Sequence, residues 1–298
     1  MIGDAVDQLR SEAAGAVRRL LAGTDEPPDR GPEDRTDDGW FGPGSATWTV
    51  HSDLSMLVGG VRALLLQTLH PGAMAGVADH SNYREDPLGR LHRTGAFVGA
   101  TTFGTAAEAE AAVEMVKAVH RRVVGTTPEG VPYTAADPRL LLWVHATEVD
   151  SFLRAYRRYG AEPIAPPVQD RYVAEMGDVA ERLGATEVPR SVAELRSTLQ
   201  GFRPELRAGA QARETVRFLV LPPGPLLAKG PYAVVLSAAV TLLPRWVRWE
   251  LRLPVLPLSE QLAVRPATTA LLRTLGWVLG PHEAVAAADQ AVGQASTN

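Results

Sequence analysis

Apolar positions recur along most of the chain at the three- and four-residue spacing of helices, with Pro/Gly-rich or charged stretches between them. The opening "MIGDAVDQLRSEAAGAVRRLLAG" reads as an amphipathic helix. It is followed by "TDEPPDRGPEDRTDDGWFGPGS", a connector too rich in Pro, Gly and Asp to pack. A long apolar helix is then expected from Thr47 to Leu69, stopped by His70–Pro71. A short segment from Gly72 to His80 and the loop "SNYREDP" lead into "GRLHRTGAFVGATTFG", residues 89–104. The next helix carries a capping box, Thr105 with Glu108, and Gly125 is placed to close it. After "TTPEGVPYTAADP", the stretch "RLLLWVHATEVDSFLRAYRRYG" again ends in glycine. Further helices are expected near 167–183, 191–202, 206–221, 228–252 and 259–279. No run shows sustained strand alternation and no repeat is visible. The pattern predicts an all-α protein, with residues 1–44 forming helix and connector and 45–298 a single multi-helix bundle enclosing a pocket.

Composition narrows the chemistry. The 298 residues are 45% apolar and 21% charged, which supplies a core, and the net charge of −4 offers no footprint for nucleic acid. The chain has no cysteine, so disulfides, thiolate ligands, iron–sulfur clusters and thioether-attached haem are excluded. A metal must be held by His, Asp or Glu, or arrive inside a cofactor. The most apolar run, Tyr232 to Leu243 between Pro231 and Pro244, has too few residues to span a bilayer as a helix, which needs about 20. It reads as a buried helix, with a helix dipping into a membrane surface as the alternative. With no transmembrane segment and no secretory pattern at the N-terminus, the expected compartment is the cytoplasm.

Helical spacing puts Arg90, Arg93, Thr94 and Phe97 on one face of a stretch that is otherwise small or apolar. That face is expected to point inward. Buried guanidiniums need anions: acids such as Asp79, Asp86 or Glu148, or the carboxylates or phosphates of a ligand. Two histidines also continue apolar stripes. His120 continues the stripe of Ala109, Val113, Val116 and Val123, and His145 stands in line with Leu141, Val149, Phe152 and Tyr156. Each reads as a core histidine held by one hydrogen bond or as a ligand. An inward histidine with inward arginines and a threonine fits a haem pocket, the imidazole on iron and the other groups on dioxygen or the propionates. Other constellations are missing: no Glu-x-x-His pair for a di-iron bundle, only the reversed His145-x-x-Glu148, no His-Glu-x-x-His, no phosphate loop and no Gly-x-Ser-x-Gly.

The ordered segments "WTVHSDLSMLVGGVRALLLQTLHPGAMAGVADHS", "DPLGRLHRTGAFVGATTFGT", "VHRRVVG" and "DPRLLLWVHATEVDSFLRAYRRYG" resemble the bacterial branch of the rubber-oxygenase catalytic-domain family. That family includes the latex-clearing proteins and a fungal endoplasmic-reticulum oxygenase. The resemblance implies an all-α fold, a non-covalent b-type haem and dioxygen chemistry on a small apolar substrate, typified by cleavage of an isoprenoid double bond. The family's distal Arg-x-x-Lys-Thr signature corresponds to Arg90, Arg93 and Thr94, with arginine in place of lysine. Arginine stays protonated, so Arg93 can donate hydrogen bonds or anchor a propionate but cannot ligate iron. The proximal histidine maps onto His120, with His145 as the alternative ligand or a residue supporting the site. Glu85, Asp79 and Asp86 are the candidates for the family's basic carboxylate. Two rival readings remain open: a haem or ligand carrier without turnover, and a helical scaffold whose arginines are satisfied internally. Peripheral membrane contact is compatible with all three.

Overall fold

The computed structural model describes residues 2–22, 39–221, 226–255 and 259–280. The expected connector falls largely on residues 23–38, outside the described residues. The all-α expectation holds, with one two-stranded hairpin added. The helices are α1 (Ile2–Ala22), α2 (Ala46–His51), α3 (Met56–Gln67), α4 (Pro71–His80), α5 (Pro87–Phe103), α6 (Ala106–His120) and α7 (Pro138–Tyr159). They continue as α8 (Pro166–Leu183), α9 (Val192–Gly201), α10 (Ala210–Val220), α11 (Leu226–Leu242), α12 (Arg245–Glu250) and α13 (Arg265–Leu279). A single π-helical turn, Glu260–Val264, runs into α13.

Three boundaries depart from the sequence expectation, each for a local reason. The helix expected from Thr47 to Leu69 is broken into α2 and α3. Ser52 Oγ donates back to Trp48 O at 2.7 Å, and Asp53 accepts from Ser55 N at 2.7 Å and from Ala161 N at 3.0 Å. These side-chain bonds to backbone compete with the helical ladder and end it. The helix expected over 228–252 is parted at Pro244, which has no N–H to donate. The third departure is at Gly125, expected to close a helix. α6 already ends at His120, and Gly125 sits in β1 (Val124–Thr126), paired antiparallel with β2 (Pro132–Thr134) and opposite Tyr133. A Cβ at Gly125 would lie 2.6 Å from the Tyr133 hydroxyl, so only glycine fits there. The capping box forms as expected: Glu108 N donates to Thr105 Oγ1 at 3.2 Å and Thr105 N to Glu108 Oε2 at 2.9 Å.

The described chain divides into two compact units. The first comprises residues up to 52, 82–113 and from 272 onward. Within it Trp48 meets Phe103 edge-on at 4.9 Å, Arg10 lies over the Trp277 ring, and buried His51 bonds Thr102 Oγ1 at 2.8 Å. Burial lowers the His51 pKa to about 3, so this imidazole is neutral.

The second unit, 53–81 with 114–271, holds a continuous core of Leu65, Leu69, Trp143, Phe202, Leu236 and Val247 among others. All of the segment Tyr232–Leu243 but its last residue lies in α11, and Val235, Leu236, Ala238, Ala239, Val240 and Leu243 are buried while Ala233 and Ser237 are exposed. The buried-helix expectation therefore holds for one face of this run. At the crossing of α3 with α7, a Cβ on Gly59 would lie 2.7 Å from Phe152 Cδ1 and 3.0 Å from its Cα, so the missing side chain sets how close the helices come. One turn on, Arg62 is 1% exposed. Its Nη2 meets Asp150 at 2.8 Å, Nη1 donates to Ser151 Oγ at 2.6 Å and Nε to Leu242 O at 3.0 Å.

Replacing Asp150 by Ala strands that guanidinium in the core, and such losses cost about 3–5 kcal/mol. Urea unfolding of Asp150→Ala is expected to show a loss of that order, and Gly59→Ala a smaller one of about 1–3 kcal/mol from overpacking. Wild-type midpoints for both variants would refute this account of the α3–α7 crossing.

Candidate functional site

His120 is the last residue of α6, in the second unit. The stripe read from sequence is present: Ala109 and Val113 are buried, Val116 and His120 half-buried. The ring Nδ1 is buried without a hydrogen-bond partner, and desolvation lowers the imidazole pKa, which favours the neutral ring. It borders a cleft of about 200 Å³ lined by Lys117, Arg121, Ala136 and Leu183. The two cations stand where the negative end of the α6 dipole favours them. Lys117 is tethered to Glu114 at 2.7 Å.

The turn after His120 is held from below. Tyr133 Oη donates to Asp79 Oδ2 at 2.7 Å, and a His80 ring nitrogen lies 3.1 Å from Val124 O. These contacts dock the hairpin on α4. They also engage Asp79, one of the carboxylates proposed as a base, with the Tyr133 phenol. The Tyr133 pKa is raised to about 12, first by burial and then by the Asp79 carboxylate.

His145 has a different environment. It sits in the middle of α7, buried, with Nε2 lacking a partner. Burial lowers its pKa to about 4, and the nearby Arg190 charge adds to the effect. The stripe of Leu141, Val149, Phe152 and Tyr156 around it is buried as expected. One turn further along α7, burial pushes the Glu148 carboxyl up to about 7. Gln67 Nε2 donates to Glu148 at 3.4 Å, and the fully buried Tyr172 stands close enough for its phenol pKa to be raised further by the Glu148 charge. Sequence reading missed this cluster and the Arg62–Asp150 pair. A signal was present: Arg62 is the only charge in "MLVGGVRALLLQ", and Glu148 and Asp150 interrupt an otherwise interior stretch of α7.

Helix α5 belongs to the first unit. Asp86 caps it, accepting from Gly89 N at 2.8 Å. The expectation that Arg90, Arg93 and Thr94 all face an interior is corrected here. Arg93 is 65% exposed and its Nη1 lies 3.4 Å from Asp86 Oδ2. Thr94 is exposed, with its hydroxyl donating to Arg90 O at 3.1 Å. Only Arg90 is half-buried, and desolvation followed by the Arg93 charge lowers its pKa. The buried end of α5 is the other one, at Thr101 and Thr102. Periodicity correctly put the three residues on one face but could not tell whether anything covers it. Of the three acids considered for these arginines, Asp86 takes Arg93, while Asp79 and Glu148 are engaged with Tyr133 and Gln67.

The residues around His120 fit a haem. A neutral imidazole is a common protein ligand of haem iron, and His120 offers one beside a cleft lined by two cations suited to carboxylates. The described residues hold no cluster of three or more His, Asp or Glu able to bind a bare metal ion.

A family model described as ER-bound oxygenase mpaB/B′/rubber oxygenase, catalytic domain, matches residues 48–280. Two curated proteins are similar in sequence: uncharacterized protein Rv2237 of Mycobacterium tuberculosis and uncharacterized protein Mb2261 of Mycobacterium bovis. Each is 30% identical over 134 residues, covering 43% of this chain and 51% of the relative. The chain thus spans about half the length of the curated relatives it matches. No solved structure matches it significantly.

The buried pair on α7 gives a pH signature. Glu148, raised from 4.5 to about 7, contributes stability that is complete below pH 4.5 and lost as pH rises through 7. His145, lowered from 6.5 to about 4, contributes stability complete above pH 6.5 and lost as pH falls toward 4. At about 1.4 kcal/mol per pKa unit, Glu148→Gln is expected to gain roughly 3 kcal/mol on wild type between pH 4.5 and pH 8. Urea unfolding at the two pH values measures this, and parallel profiles would exclude a strained carboxylate at 148.

Proposed function

The chain belongs to the mpaB/rubber oxygenase catalytic-domain family, whose model matches most of its length, and from that premise we propose that it is a b-type haem-dependent oxygenase. Its substrates are dioxygen and a small apolar molecule of isoprenoid or secondary-metabolite type. A cytoplasmic setting is the reading its sequence supports; no helix among the described residues is long and apolar enough to cross a membrane.

The observation that carries this reading is the neutral imidazole of His120, its buried Nδ1 without a hydrogen-bond partner, beside a cleft lined by Lys117 and Arg121. In the proposed arrangement His120 holds the haem iron, while Lys117 and Arg121 pair with the propionates. Bound haem would supply the redox chemistry that no side chain of this protein can provide. The protein's own work is then to fix the ring of His120. The hairpin does so, because it starts four residues after His120 and is pinned to α4 through Tyr133 and Asp79.

On α5, in the first unit, Arg90, Arg93 and Thr94 are proposed as hydrogen-bond donors to an oxygen or anionic ligand, a role that rests on the family resemblance alone. Arg90 is the half-buried one of the three. Arg93 is held by Asp86 at 3.4 Å, a long pairing between exposed groups that exchanges readily for a better acceptor. His145 is proposed to support the second unit's core rather than bind iron. Its partnerless Nε2 keeps it as the alternative ligand, and the two assignments separate experimentally.

Protein produced with ample haem is expected to show a Soret band and one iron per chain. His120→Ala is expected to lose most of that absorbance at unchanged helix content, and His145→Ala to retain it. Protein that is folded but free of Soret absorbance and iron would sink the haem reading. Loss confined to His145→Ala would transfer the ligand role to that residue. Haem binding without oxygen uptake across a panel of isoprenoids would favour a carrier.

A further inference from the structure

Away from the His120 cleft, exposed aromatic and cationic side chains gather around α12. Its core side is Val247 and Arg248, both buried. Arg248 Nε donates to Leu243 O at 3.1 Å and Nη2 to Thr241 O at 2.5 Å, while Nη1 pairs with Glu260. Trp249 points the other way and is 76% exposed. Arg245 precedes it by one turn on the same helix face. Arg252 follows three residues later in a left-handed conformation, φ 55°, its N–H donating to Trp249 O at 3.1 Å. The Arg248–Glu260 pair ties the π-helical turn to this helix, and Leu262 in that turn is 77% exposed. Exposed Arg265 comes next, and Arg203 lies 3.8 Å from the centroid of the half-buried Trp246 ring.

Among the described residues, none of Arg203, Arg245, Arg252 and Arg265 has a carboxylate partner, whereas the nearby Glu260 is neutralised by Arg248. A large apolar ring on α12, and an aliphatic side chain in the turn that Arg248–Glu260 ties to it, are thus held out in water on elements whose arginines outnumber the one acid left beside them, Glu250. Four like charges disfavour a second copy of the same face. An anionic lipid surface answers both features. An indole seats at headgroup level with its N–H wet, arginine stems lie along the apolar boundary, and the guanidiniums reach lipid phosphates. We propose that this face docks the protein on an anionic bilayer surface, with Trp249 and Leu262 inserted and the four arginines on headgroups. This proposal stands apart from the haem reading, since none of these side chains borders the His120 cleft.

The test uses the full chain sedimented with vesicles of phosphatidylcholine alone or with about one-third phosphatidylserine. Binding to the anionic vesicles only, weakening with added salt, is expected. Arg245→Gln and Arg252→Gln should each reduce partitioning roughly fivefold. Trp249→Ala should reduce it further, with circular-dichroism melting unchanged because the residues are exposed. Absence of binding to either vesicle, or equal binding by wild type and variants, would overturn the proposal. So would a concentration-dependent dimer abolished by Trp249→Ala, or tighter binding to a nucleic-acid oligomer than to the vesicles.

Discussion

The second unit is organised around one buried charge. Arg62 could not be 1% exposed unless every donor of its guanidinium found an acceptor, and the acceptors come from α7 (Asp150, Ser151) and α11 (Leu242 O). That requirement fixes three helices against one another in rotation and in height. A purely apolar contact would tolerate sliding by a fraction of a turn. The close α3–α7 approach at Gly59 belongs to the same constraint, since a guanidinium anchored at 2.8 Å leaves no room to separate the helices. α7 in turn carries His145 and Glu148 at fixed positions in the core.

Desolvation then sorts the histidines. His51 and His145 are driven to pKa values of about 3 and 4 by burial, and the half-buried His120 is lowered in the same direction. All three are neutral imidazoles at neutral pH, yet their surroundings differ. His51 bonds Thr102, His145 is enclosed in α7 packing, and His120 borders an open cleft with cations beside it. Access, more than basicity, selects His120 as the side chain to which a large planar cofactor could come. Inward arginines play no part in this, because Arg93 faces solvent and is paired with Asp86.

Much of the fold was legible in the pattern of residues. The helical class, the capping box at Thr105, the starts of α5 and α7 and the stripes through His120 and His145 follow from short-range rules. The break between α2 and α3 was harder, because Ser52 and Asp53 look tolerable inside a helix until Asp53 is seen accepting from Ala161, which is distant in sequence. The Gln67–Glu148–Tyr172 cluster was invisible for a related reason: its members lie on three helices, and only packing brings them together.

What the sequence by itself determined is which residues share a helix face and where backbone chemistry ends each helix, since spacing and capping act within a few residues. Whether a face is covered depends on elements far away in the chain, so only tertiary structure could decide it. It left Arg93 and Thr94 open to solvent, placed one face of Tyr232–Leu243 in the core, and put Trp249 on the surface. Burial is a property of the whole packing, and the free energy of every charge and ring in this protein follows from it.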